Sequence, residues 1–143
     1  MAADVDEDIA DTLDEAVIGA LIRTFFAAFV SGDDAPARLD ALPGLFLPEA
    51  VIVRTGPDLA VYGVESFIAP RRDLLTSGRL TDFTEHELAG HTAVAGDVAQ
   101  HLCTYTKSGL LDGRPFTGRG VKTFQLVRTT SGWRLSAVAW SDE

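Results

Sequence analysis

Three apolar-alternating runs follow one another in the last third of the chain, with only turn residues between them. Residues 98–107 run into Ser108-Gly109-Leu110-Leu111-Asp112-Gly113, residues 116–128 into Thr129-Thr130-Ser131-Gly132, and residues 133–141 complete the set. Gly, Asp and Ser at each junction supply the backbone freedom and local hydrogen bonding that reverse a strand, so the spacing predicts a β-meander. A long run at 81–94, turned by Gly96-Asp97, adds a fourth strand before it. An apolar helix over 17–30 has nothing else to bury against and is expected to pack on that sheet. On it Val17, Leu21, Phe25 and Ala28 share one face, with Ile18, Ile22, Phe26 and Phe29 beside them.

The remaining elements are shorter. Thr12-Leu-Asp-Glu15 has the form of a capping box, so the first helix is expected to start there. A second helix is expected over 35–42, with Pro36 in its first turn and a stop at Pro43-Gly44. Residues 50–54 and 59–62 form a short strand pair around Thr55-Gly56-Pro57-Asp58, and a third helix follows over 64–75 with Pro70 inside it.

At 143 residues this is one domain, read as an acidic leader over 1–11 and a single folded unit over 12–143. The net charge is −9, but seven acids precede the first basic residue, Arg23, and residues 16–143 carry only −2. No basic stripe with interleaved aromatics is present, which argues against a nucleic-acid partner. No apolar run is long enough for a membrane span, and the N-terminus lacks the form of a secretory signal. A single cysteine, Cys103, cannot form an internal disulfide, so a cytoplasmic location is expected.

The order helix, short helix, strand pair, helix and four antiparallel strands resembles the nuclear transport factor 2-like superfamily. Local sequence carries the likeness: Phe25-Phe-Ala-Ala-Phe-Val-Ser-Gly-Asp33, Leu45-Phe46-Leu-Pro-Glu-Ala-Val51, Tyr62-Gly63 before the third helix, and Gly132-Trp133-Arg-Leu135 leading to Trp140-Ser141 are similar to the SnoaL-like branch. The resemblance covers roughly residues 12–141 and implies an α+β fold. In that fold a cone-shaped, curved antiparallel sheet wraps around three helices from the N-terminal half and encloses a cavity. Members include isomerases, dehydratases, hydrolases, cyclases, binding modules and assembly modules, so the site has to decide function.

Ketosteroid isomerases of this superfamily use a tyrosine donor, an aspartate base and an aspartic acid donor. Matching their pattern places Phe25, Arg54 and Lys122 at those positions. All three of the family's groups are missing, and neither Arg nor Phe can act as the required base, so the isomerase reading is rejected. Arg54 and Lys122 instead offer two cations to an anionic ligand such as a carboxylate, with Phe25 and Phe124 as apolar lining. The alternative is that both cations reach solvent or pair with Glu49 or Glu65.

The strand at 98–107 alternates Ala99, His101, Cys103 and Tyr105 against Val98, Gln100, Leu102 and Thr104. Family pattern favours the odd face inward, which would aim His101 into the cavity as a general base with Tyr105 as a donor. A structural, hydrogen-bonded histidine is the competing reading, and an inward even face would instead give a neutral pocket. Glu85-His86-Glu87 with His91 has metal-capable side chains, but on a regular strand residues 86 and 91 face opposite ways. No metal and no cofactor are therefore expected. The glycines of Gly118-Arg-Gly120 are expected to allow sheet curvature.

No inward carboxylate is evident, which favours a small-molecule-binding domain over a SnoaL-like lyase, isomerase or hydrolase built on His101 and Tyr105. A homo-oligomeric assembly module is the third reading. Apolar outer positions, taken as Val121, Val138 and Trp140, predict a homodimer formed sheet against sheet.

Overall fold

A computed structural model describes residues 2–143, with side chains from Ile9 onward. Helix α1 (Ala2–Ala27) is followed by α2 (Ala35–Ala41), a 3₁₀ turn (Leu42–Leu45), strands β1 (Phe46–Arg54) and β2 (Ala60–Tyr62), and α3 (Val64–Thr76). Strands β3 (Leu80–Ala95), β4 (Val98–Leu111), β5 (Arg114–Thr129) and β6 (Gly132–Asp142) form the predicted meander. The six strands make one curved, unclosed sheet in the order β2-β1-β6-β5-β4-β3. One pairing departs from the all-antiparallel expectation. β1 lies parallel to β6, because the chain leaves β1 through β2 and α3 and returns only after the whole meander. No helix among the described residues is long and apolar enough to cross a membrane.

Helix α1 begins at Ala2, well before Thr12, so the capping-box expectation is overturned and Thr12 lies mid-helix. Asp14 has a tertiary role instead. It accepts from Arg128 Nη1 at 3.0 Å and Nη2 at 2.7 Å and from Trp133 Nε1 at 3.1 Å, clamping α1 to β5 and β6. The Arg128 hydrogen bonds hold its carboxyl below the usual carboxylate range. Of the predicted apolar face, Ile18, Ile22, Phe25, Phe26, Ala28 and Phe29 are buried, whereas Val17 is exposed and Leu21 only partly covered.

The core fills the concave side of the sheet. Phe25 packs edge-on against Phe124 at 5.1 Å and Phe29 at 5.3 Å, between α1 and β5. Which residues face this core depends on two irregularities. The β5–β6 register shifts at Ser136, so Trp133 and Leu135 point inward before it and Val138 and Trp140 after it. A second shift at Leu88 lets Phe83, Glu85 and Glu87 face inward before it and Gly90, Thr92 and Val94 after it.

Candidate functional site

One end of the sheet is not filled by α1. There the start of β3, the ends of β1, β4 and β6, and the middle of β5 face α3 across a pocket of 330 Å³. Its walls are aromatic and aliphatic: Phe29, Phe67, Phe83, Phe116, Tyr62 and Trp140 carry most of them, with Pro70 and Leu74 from α3. Against one carboxylate, Glu85, the lining sets four basic side chains, Arg54, Arg71, Lys107 and Lys122, although the chain as a whole is strongly acidic. The chain has only two lysines, and both are in this lining.

Lys122 is 6% exposed and donates from Nζ to Glu85 Oε1 at 2.8 Å. Its ammonium sits in an aromatic box, 4.6 Å from the Tyr105 ring centroid, 5.3 Å from Phe26, 5.4 Å from Trp140 and 5.5 Å from Phe25. Burial pushes its pKa down, and the Glu85 carboxylate opposes that only in part. The neighbouring strand positions form a second polar group. Tyr105 donates its hydroxyl to Asp142 Oδ1, which also accepts from Lys107 Nζ at 3.2 Å. Burial, then this hydrogen bond, push the phenol pKa up, so Tyr105 stays protonated. Burial would raise the Asp142 pKa, but Tyr105 and Lys107 outweigh it and the net direction is down.

The glycines of Gly118-Arg-Gly120 make room as well as bend. A Cβ at Gly120 would lie 2.7 Å from the Tyr105 hydroxyl, and one at Gly118 would lie 2.9 Å from Lys107 Cε.

Arg71 is held differently. Its guanidinium carbon lies 4.0 Å from the Phe67 ring centroid, 5.4 Å from Trp140 and 5.7 Å from Tyr62. Its one hydrogen bond goes from Nη1 to Phe67 O at 2.8 Å, on its own helix. No carboxylate lies within ion-pairing distance of it among the described residues, and burial lowers its pKa. Arg54 is similar, donating from Nη2 to the Asp58 carbonyl at 3.1 Å.

Several sequence expectations change here. Arg54 and Lys122 do line the pocket, and the partner of Lys122 is Glu85 rather than Glu49 or Glu65. Phe25 and Phe124 do not line it, because they pack on each other beneath it. The odd face of β4 is inward, as expected, but of Ala99, His101, Cys103 and Tyr105 only Tyr105 reaches the pocket, with Lys107 beyond it. His101, four residues from Tyr105 or about 13 Å along the strand, is buried outside the pocket with the Phe124 ring 6.0 Å from its own. Its Nδ1 meets Thr92 Oγ1 at 2.7 Å and its Nε2 meets Glu87 Oε1.

Inward carboxylates exist after all, Glu85 and Glu87 on β3, and no feature of the alternation singled them out. Because of the shift at Leu88, His86 and His91 lie on the same outer face, contrary to the expectation of opposite faces. The metal-capable grouping is another one: Glu87 Oε1, His101 Nε2 and Cys103 Sγ lie within 4.8 Å of one another. Burial, then Glu87, push the Cys103 pKa up to about 12, which keeps it a thiol.

The predicted interface residues divide between two faces. Val121 is exposed on the outer face, whereas Val138 and Trp140 are buried on the inner one, because the bulge at Ser136 reverses the alternation that had placed them outside. The outer face carries Val51, Leu102 and Val121 around a shallow trough floored by Ala137 and Ala139.

The sequence profile of the SnoaL-like domain matches residues 18–141. The chain belongs to the SnoaL-like domain family. No curated protein matches it significantly in sequence. Among solved structures it is similar to a nuclear transport factor 2-like protein with a cystatin-like fold from Novosphingobium aromaticivorans (TM-score 0.74, 18% identity, covering 96% of this chain and 86% of that one). It is similar to a nuclear transport factor 2-like superfamily protein from Salmonella enterica (TM-score 0.73, 16% identity, 92% of each chain). A candidate dehydratase of the same family from Streptomyces avermitilis is also similar (TM-score 0.70, 20% identity, 92% of this chain and 97% of that one). At these identities the likeness establishes the SnoaL-like cone fold and no activity.

Proposed function

We propose that this SnoaL-like domain binds a small organic anion with a flat apolar body, an aromatic carboxylate, in the pocket between α3 and the sheet. The observation that carries the reading is Arg71, a guanidinium stacked among three rings with no carboxylate partner among the described residues. A planar, forked donor in a partly dry site suits a carboxylate, and the surrounding rings suit the body attached to it. Arg54 at the end of β1 adds to the same pocket a second cation with no carboxylate partner among the described residues.

Thermal shifts with benzoate and benzamide, two ligands of one shape and different charge, test this. Benzoate at about 100 times its Kd should add about 2.7 kcal/mol of stability, and Arg71→Leu should remove that gain. Equal stabilisation by benzamide, or a benzoate shift that survives Arg71→Leu, overturns the reading.

We also propose that a second copy of the chain covers the outer face of the sheet. All the helices lie on the other side, and Val51, Leu102 and Val121 are 40–52% exposed there. With Gln100, Thr123 and Gln125 among them, they give a mixed apolar and polar surface of the kind subunit contacts cover. Leu102→Glu would place a charge in that contact and should halve the mass seen in sedimentation. An unchanged mass places the contact elsewhere.

A further inference from the structure

We infer that Lys122 captures the carbonyl group of an aldehyde or ketone as an imine, the carbonyl being carried on the same small anion that Arg71 holds. This rests on the anion reading above for the choice of ligand, but not for the chemistry at Lys122. Three observations point to it. First, ten of the twelve basic residues are arginines, and both lysines are in the pocket lining, so the primary side-chain amines are confined to one site. Second, Lys122 Nζ borders the pocket from an aromatic box instead of reaching solvent, the setting in which a lysine amine becomes nucleophilic. Third, Glu85 Oε1 is 2.8 Å from that nitrogen, within reach of direct proton transfer.

The spacing fits a ligand held at both ends. Lys122 Nζ and Arg71 Cζ each lie 5.4 Å from the Trp140 ring centroid, so they are within about 11 Å of each other, twice that distance. A carboxylate and a carbonyl on opposite ends of one aromatic ring can engage both groups, with the ring against Trp140.

The step balances without any other reactant. Glu85 takes a proton from the ammonium, and the freed amine pair forms the N–C bond while the carbonyl π pair moves to oxygen. That oxygen takes the second proton from the nitrogen and gives a carbinolamine. Glu85 then returns its proton to the departing hydroxyl, the nitrogen lone pair forms the C=N bond, and one water leaves a protonated imine beside the Glu85 carboxylate. The lowered pKa of Lys122 acts in the same direction by enlarging the neutral fraction of the amine.

The test is reductive trapping on the full chain with 4-formylbenzoate and sodium borohydride, followed by peptide mapping of Lys107, Lys122 and the α-amine. Several-fold more adduct is expected at Lys122 than at Lys107, because only Lys122 faces the pocket from the aromatic box with Glu85 Oε1 at 2.8 Å as its proton acceptor. Lys122→Arg keeps the ion pair with Glu85 but has no amine to trap, and should lose the adduct. Should that variant not fold, Lys122→Met with Glu85→Gln serves the same purpose.

Equal labelling of Lys107 and Lys122, or labelling of the α-amine alone, overturns the inference. Stabilisation by 4-(hydroxymethyl)benzoate without any Lys122 adduct overturns it too and leaves the anion reading standing. Labelling of Lys122 by benzaldehyde as readily as by 4-formylbenzoate supports the imine chemistry and overturns the anion reading.

Discussion

Two carboxylate–base pairs lie on the same inner face of the sheet, two residues apart on β3, and they end in different surroundings. Glu85 meets Lys122 on β5, and Glu87 meets His101 on β4. The Glu87–His101 pair is saturated: Thr92 takes the second ring nitrogen, and the missing side chain of Gly90 leaves room only for the two partners themselves. The Glu85–Lys122 pair opens onto a pocket that holds two further cations without carboxylate partners among the described residues. The same kind of ion pair is therefore structural where both nitrogens of the base are held and the space beside it is filled, and available for chemistry where a pocket adjoins it. Local saturation, more than residue type, separates the two.

Breaking the pocket pair should have the largest effect. Lys122→Met leaves Glu85 as a charge with no partner in an apolar box, and a loss of roughly 3–5 kcal/mol is expected from urea unfolding. Adding Glu85→Leu removes the stranded charge and should restore most of that loss. If Lys122→Met unfolds with an unchanged midpoint, water reaches Glu85 and the box is not dry. The double variant should also lose the benzoate-dependent shift if Lys122 takes part in holding the anion. If it keeps the full shift, the two arginines hold the anion alone.

The saturated pair should break from the backbone side. A Cβ at Gly90 would fall on the Glu87 carboxylate and lie 2.7 Å from His101 Nε2. Gly90→Ala therefore has to push the two apart, at an overpacking cost of about 1–3 kcal/mol. Benzoate should stabilise this variant by as much as it stabilises the parent, because the Glu87–His101 pair lies outside the pocket. A lost benzoate response with retained folding would show that the two pairs communicate along β3.

The sequence told these two sites apart poorly, and the reasons are local. Alternation along β4 put Ala99, His101, Cys103 and Tyr105 on one face correctly, because that strand pairs with β5 without interruption. It failed on β6 and β3, where a single extra residue, Ser136 or Leu88, shifts the phase and turns every later side chain to the other face. That one-residue effect moved Val138 and Trp140 from a supposed interface into the core. The inward Glu85 was missed for another reason. A carboxylate on an inner face is expected only with a cation opposite, and the pairing of residues 85 and 122 reaches across the intervening strand β4. Arg71 carried no signal in the sequence, since a basic residue after a helix proline reads as solvent-facing. The meander, the three helices and the family likeness were legible because they rest on turn chemistry and long-range order, which a one-residue bulge leaves intact.

The smallest expected effect concerns the contact that makes the second pair complete. Thr92→Val keeps the shape of the side chain and removes only the hydroxyl that meets His101 Nδ1 at 2.7 Å. The ring nitrogen then has no partner on that side, in a residue 6% exposed, and a loss of about 1 kcal/mol is expected. The hydroxyl also sets the surroundings of Nδ1 while Glu87 holds Nε2. Its removal should therefore change the His101 nitrogen chemical shifts, a readout that a packing defect alone would not move. Unchanged shifts and stability together would mean that Glu87 alone holds the imidazole. The difference between the two pairs would then lie in the space beside them, without any contribution from this hydrogen bond.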